Sequence, residues 1–151
     1  MRWLLSIAAL VAAIDQATKL LIVRLLEPTE TRVVIPGFFQ LVNWRNTGAA
    51  WGMFQDSNLV LTIVGILCVL GVVLFRHSLL LKHRASAVAL GLIVGGIVGN
   101  TIDRLRAGAV IDFLDFHLGT YHWPAFNVAD SGICVGVVLY IVVSARSEKS
   151  S

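Results

Sequence analysis

Two short phrases of this chain place carboxylates among apolar residues: Val110-Ile111-Asp112-Phe113 and Phe126-Asn127-Val128-Ala129-Asp130. A carboxylate facing lipid is costly, so one kept in or beside an apolar segment is a functional candidate by default. A pair of them suggests acid/base chemistry. Carboxyl groups close enough to share one proton cannot both ionise, so such a pair holds one acid and one base near neutrality. The base can take a proton from water while the acid protonates a scissile carbonyl, which is peptide hydrolysis without a metal or a side-chain nucleophile. The two groups titrate as a unit, and the sequence does not say which keeps the proton.

Other polar residues cluster by spacing. Asp15 and Lys19 are four apart with the acid first, the order that brings opposite charges together on one helix face. A salt bridge between them, or a bond from Lys19 to a loop, accounts for both without chemistry. Asn100, Asp103 and Arg104 lie at i, i+3 and i+4, so one helix face presents an amide, a carboxylate and a guanidinium. Asn127 and Asp130 are three apart at a helix start, where an acid is favoured by the helix dipole. On spacing alone, capping and catalysis explain that pair equally well.

Weaker constellations point elsewhere. His117 and His122 are five apart and lack the HExxH pattern of a helical zinc protease. Ser131 with Lys19 would need a neutral lysine to act as a Ser–Lys peptidase, and Asp15 one turn away favours the charged form. Cys68 and Cys134 fall inside apolar segments, where small thiols are common and nothing supports a disulfide. No metal ligand set emerges.

The elements that must position these groups are membrane helices. Of 151 residues, 57% are hydrophobic and 14% charged, against about 25% charged in an ordinary soluble domain, and the mean hydropathy is +0.82. The net charge of +3 reflects scattered Lys and Arg with no basic stripe, so they read as topology signals rather than a nucleic-acid surface. Four spans are expected, about 3–26, 59–75, 85–102 and 128–144, within one integral membrane domain of 1–151. The first is closed by Glu27-Pro28. It is read as a retained helix rather than a cleaved signal peptide, because Asp15 and Lys19 interrupt it and no small-residue cleavage site follows. Gly91, Gly95 and Gly99 repeat every four residues, as do Gly132 and Gly136, which lets neighbouring helices approach closely. Gly108 is expected to end the third helix.

The outer β region, about 29–58, begins with the β-prone runs Thr31 to Ile35 and Phe38 to Arg45 around the turn Pro36-Gly37. Trp44, Trp51, Phe54, Tyr121 and Trp123 suit an interfacial belt or the walls of a cleft. Arg76, Lys82 and Arg84 crowd one short connection, and Arg2, Arg146 and Lys149 sit at the termini. With four spans these share a side, expected to be cytoplasmic; Arg24, Arg32, Arg45, Arg104 and Arg106 lie opposite.

Five blocks together resemble bacterial lipoprotein signal peptidase, or signal peptidase II, an aspartic peptidase family. They are Asp15-Gln16-Ala17-Thr18-Lys19, Arg45-Asn46-Thr47-Gly48-Ala49-Ala50, Gly99-Asn100-Thr101-Ile102-Asp103-Arg104, Gly108-Ala109-Val110-Ile111-Asp112-Phe113 and Phe126-Asn127-Val128-Ala129-Asp130-Ser131. Each block alone is weak, but five in family order from Asp15 to Ser131 are specific. The resemblance implies an endopeptidase of the inner membrane that cuts diacylglyceryl-modified prolipoproteins just before the lipidated cysteine. It implies a catalytic pair Asp112 and Asp130, with Asn46 and Arg104 holding substrate backbone. Asn100, Asp103 and Asn127 would order the site, and Asp15 with Lys19 would brace the fold. It implies four transmembrane helices with a small periplasmic β-sheet and a short interfacial helix around Trp51, where phenylalanine is more usual. No cofactor, metal or nucleic acid is expected; the partners are prolipoprotein and membrane lipid, and the chain is taken as a monomer. The alternatives are a proton-coupled small transporter, with carboxylates spread through the membrane depth, and a non-catalytic assembly factor whose polar residues only lock helices together.

Overall fold

The computed structural model describes residues 1–48, 53–79 and 84–148. Among the described residues, five helices and four strands run in the order α1 (Arg2–Leu25), β1 (Thr31–Ile35), β2 (Phe39–Asn46), α2 (Asn58–Leu74), α3 (Arg76–Leu79), α4 (Arg84–Ala107), β3 (Val110–Leu118), β4 (Tyr121–His122) and α5 (Val128–Glu148).

Among the described residues three helices, α1, α4 and α5, are long and apolar enough to cross a membrane, whereas α2 is apolar but only 17 residues long. Two of them, α1 and α4, end for local reasons. Pro28 disfavours a helical residue before it, and Leu26 is already extended while its N–H still reaches Ile22 O at 2.9 Å. At the far end of α4, Gly108 adopts φ +68° and donates to Arg104 O at 3.1 Å. That is a glycine-terminated stop in the left-handed region. The helix thus continues beyond the apolar span, which ends at 102, to the stop expected at Gly108.

The core is helix against helix, with α4 in the middle touching α1, α2 and α5. A glycine row on one face of α4 and a single glycine on another make this possible. A Cβ at Gly91 or Gly95 would strike α1 at Leu4 O (2.9 Å) or Ala8 O (2.7 Å). Gly96, outside the four-residue series read from the sequence, abuts α5 at Ala129 O and Ile133. The outward faces of α1, α2 and α5 carry exposed Leu, Val and Ile, and α2 buries only Thr62, as suits helices facing hydrocarbon.

One four-stranded antiparallel sheet, ordered β1-β2-β3-β4, lies against one end of the helices. The expected hairpin is present: Gly37 takes φ +73° and Phe38 N–H closes onto Ile35 O at 3.1 Å, with Pro and Gly where such a turn wants them. The sequence reading did not foresee β3. Val110–Leu118 is rich in β-branched and aromatic residues between Gly108 and Gly119, a signal that could have found it. It pairs with β2 in the register Trp44↔Asp112, Arg45↔Ile111 and Asn46↔Val110, after an irregularity between Leu41 and Trp44. The expected short helix around Trp51 falls outside the described residues.

The sheet is fastened to the helices by Ile22, Leu26 and Phe113, buried together with Leu41, Leu114 and Val128 against them. Asn43, also buried, donates to Leu26 O at 2.8 Å.

Candidate active site

Asp112 and Asp130 meet because β3 grips the segment that leads into α5. Phe126 O accepts from the N–H groups of Phe113 (3.0 Å) and Leu114 (2.9 Å), and Phe126 N–H returns a bond to Leu114 O at 3.1 Å. Phe126 also stacks on Phe116 with centroids 5.8 Å apart. Asn127 therefore stands directly beside Asp112, and α5 starts there.

Asn127 is fully buried and serves both carboxylates. Its Oδ1 accepts the N–H of Asp130 at 2.9 Å, while its own N–H donates to Asp130 Oδ2 at 3.3 Å. This is a reciprocal capping arrangement at the start of α5. Its Nδ2 donates to Asp112 Oδ1 at 2.8 Å. The capping account of Asn127 and Asp130 and their convergence on Asp112 are therefore compatible. The second oxygen of Asp112 accepts from Asn46 Nδ2 at 3.0 Å, and that of Asp130 from Asn100 Nδ2 at 2.7 Å.

Both carboxylates open into one cavity of about 380 Å³, with Asn46, Asn100 and Arg104 among its polar lining and Trp123, Phe126 and Ile133 among its apolar lining. Arg104 donates to Gly48 O at 3.2 Å, and its Nε is buried with no protein partner among the described residues. Burial pushes the Asp112 carboxyl up to about 7. The neighbouring Asp130 adds to that rise, while the bonds from Asn46 and Asn127 and the charge of Lys19 oppose it.

Beneath the cavity lies a closed ionic network. Asp15 is 0% and Lys19 2% exposed. The ammonium contacts Asp15 Oδ2 and Asp103 Oδ2, each at 2.8 Å, and Asn100 Oδ1 at 2.9 Å. The i,i+4 pair expected from spacing forms, and Asp103 joins it. Asp15 Oδ1 also accepts Ala129 N–H at 2.9 Å, so α1 holds the first turn of α5. Gln16, singled out only as part of a motif, donates to Asp103 Oδ1 at 2.8 Å. Asn46, expected on substrate, spends its amide group on Asp112 and its carbonyl on Gly48 N–H at 2.9 Å.

Of the remaining candidates, Ser131 and Cys134 also line the cavity. Cys68 and Cys134 are free, and no cluster able to hold a metal ion occurs among the described residues. Ser131 donates to Asn127 O at 2.9 Å and Lys19 is enclosed by acids, so the Ser–Lys reading has no geometry. At the far end of the sheet, Asp115 is fully buried and bonded to Gln40 (2.6 Å) and His122 (3.0 Å), a cluster not picked out from sequence.

Membrane-crossing helices capped by a sheet, with two enclosed carboxylates facing one cavity, define the chain as an integral membrane protein equipped for acid/base hydrolysis. Residues 7–146 match the family described as signal peptidase (SPase) II. A lipoprotein signal peptidase of Oleidesulfovibrio alaskensis is 49% identical over 135 residues, covering 86% of each chain. That of Syntrophotalea carbinolica is 47% identical over 149 residues, 96% of this chain and 92% of its own. A solved bacterial membrane enzyme superposes with a TM-score of 0.88 at 32% identity, over 98% of this chain and 90% of the other. A second gives 0.81 at 34%, over 93% and 90%. The chain belongs to the signal peptidase II family. The transporter alternative finds no support among these relatives.

Proposed function

We propose that Asp112 and Asp130 are the catalytic dyad of this aspartic peptidase, and that it cuts diacylglyceryl-modified prolipoproteins just before the lipidated cysteine. The observation that carries the reading is the shared cavity, in which Asn127 holds both carboxylates at once. One carboxylate takes a proton from water, the resulting hydroxide adds to the scissile carbonyl carbon, and the protonated partner gives its proton to the carbonyl oxygen. Collapse of the tetrahedral intermediate then passes a proton to the leaving amine. Arg104, with a buried Nε donor unspent, holds a substrate carbonyl. Asn46 steadies Asp112 at the cavity wall. Asn100, Asp103 and Asn127 order the pair, and Asp15 with Lys19 braces them. The aspartates supply both acid and base, so no cofactor is required.

The same reading places the chain as one domain, acting as a monomer, in the bacterial inner membrane. There α2 serves as a fourth crossing. At about 1.5 Å per residue its 17 residues reach roughly 25 Å, short of a core of about 30 Å, a mismatch that local thinning accommodates. Four crossings keep both termini cytoplasmic, with Arg76 and Arg84 on the same side, and put the sheet and cavity at the periplasmic face. A signal peptide is itself a membrane helix whose end emerges there, so water need not reach the bilayer centre and the acyl chains can stay in lipid.

The purified protein in detergent, given a diacylglyceryl-modified and an unmodified precursor, is expected to release the signal peptide only from the modified one. Equal cleavage of both removes the lipid from the recognition, and cleavage of neither removes the substrate class. The pH profile follows from the protonated partner. Because Asp112 is raised to about 7, kcat/KM is expected to rise along an acidic limb as the base ionises, to level off below neutrality, and then to fall about tenfold per pH unit above about 7 as the shared proton is lost. A profile still flat at pH 9 is incompatible with a one-proton dyad.

A further inference from the structure

The ammonium of Lys19 has three hydrogens and three partners, Asp15, Asp103 and Asn100. Two carboxylates already exceed the charge needed to neutralise it, so the third contact has another consequence. An ammonium can only donate, which obliges Asn100 to turn its carbonyl toward Lys19. Asn127 Nδ2 adds a second donor to the same oxygen at 3.3 Å. The amide NH₂ of Asn100 then has one direction left, and it meets Asp130 Oδ1 at 2.7 Å. With Lys19 in place the amide cannot flip, so Asp130 Oδ1 always faces a donor.

The two carboxylates are not equivalent in this respect. Asp130 receives the Lys19-oriented amide and a backbone N–H in the first turn of α5, where the helix dipole favours an anion. Asp112 sits on a strand and is held by two neutral side-chain amides; the charge of Lys19 also acts on it, but its hydrogen-bond path to that ammonium needs a second amide, Asn127. Arg104 on α4 acts on Asp130 more than on Asp112 and so works in the same direction as the Lys19-oriented amide, while Asp103 on α4, Asp15 on α1 and Asp112 on β3 are acids that oppose a further negative charge.

We infer that Lys19 is a positioning residue for the dyad: acting through Asn100, it makes Asp130 the ionised member that takes the proton from water, and leaves Asp112 as the acid. The inference rests on the assignment of Asp112 and Asp130 as the catalytic pair.

The test is the pH dependence of kcat/KM for the full chain in detergent, in Lys19→Met and Asn100→Leu. Loss of the cation, or of the amide it orients, disfavours the base form. The acidic limb is therefore expected to move upward by about one pH unit in both variants, with KM unchanged. A residue that only braces the fold would lower the whole profile without displacing either limb. Lys19→Met leaves Asp15 and Asp103 without their cation and risks failing to fold; Asn100→Leu keeps both ion pairs but deletes the amide itself. The double variant Lys19→Met/Asn100→Leu, expected to move the limb no further than Asn100→Leu alone, therefore shows that Lys19 acts through Asn100, and a further displacement in it overturns that route. An acidic limb that stays put in Asn100→Leu, or moves downward, overturns the role of Lys19. If Asp112→Asn and Asp130→Asn are inactive while that limb is fixed, only this inference falls; if either remains active, the dyad itself falls.

Discussion

Asparagine at Asp112 or at Asp130 will each reduce cleavage of a lipidated precursor by at least about 10³-fold, because each removes one half of an acid/base pair that no third group can replace. The protein will still insert and accumulate. At position 112 the new amide places one NH₂ opposite a donor from Asn46 or Asn127, a loss on the order of 1–3 kcal/mol. At position 130 the exchange touches Asn100 and the backbone of Asn127 in the same way. Both variants therefore keep their helices, and the measurement pairs precursor cleavage with recovery of monodisperse protein. Either single variant turning over at more than a few per cent of the parent rate removes the dyad. Lys19 is close by, yet its three hydrogens are committed, and it has none free to act as a substitute acid.

Gly96→Val will produce the largest loss of stability. A Cβ there runs into Ala129 O and comes within 2.7 Å of Ile133 Cγ1. The first obstacle is backbone and cannot rotate away, so α4 and α5 must separate. Overpacking of this kind costs about 1–3 kcal/mol and sometimes more. The damage also reaches the site, because Ala129 N–H binds Asp15 Oδ1 and the next residue is Asp130. Activity is expected to drop at temperatures where the protein is still folded, while the midpoint of thermal unfolding in detergent falls by several degrees. Gly71→Ala, where a Cβ meets nothing within 4 Å, is expected to change neither. An unaltered midpoint for Gly96→Val would mean that the close approach of the two helices carries little of the stability.

The contrast between these glycines illustrates what a one-dimensional pattern can hold. Four-residue spacing marked Gly91, Gly95 and Gly99 as an interface, and all three do face α1; a Cβ at Gly99 would come within 2.5 Å of the Asp15 carboxylate. The same spacing hid Gly96, because α4 lies between two partners and a second face needs its own glycine. The β1–β2 hairpin was legible in the same local way, since Pro36-Gly37 and the flanking β-prone runs act on adjacent residues. Strand β3 carried a local signal in its β-branched and aromatic residues between Gly108 and Gly119, but its partner did not show, since it pairs with β2 some 70 residues earlier, Phe39 with Phe116 for instance.

By itself the sequence determined that the chain is a membrane protein, where its apolar helices lie, that Asp15 and Lys19 share a face, that Gly108 ends a helix, and which carboxylates are candidates for chemistry. These follow from hydropathy, from the 3.6-residue repeat and from turn chemistry, all short-range properties. Only the tertiary structure decided that Asp112 and Asp130 open into one cavity, that Asn127 ties them together, that Asp103 closes the charge network around Lys19, and that Asn46 is bonded to Asp112. Those contacts are made by side chains from α1, β2, α4, β3 and α5. No spacing along a chain encodes them, since they exist only once helix packing and strand pairing have brought the five elements to the same place.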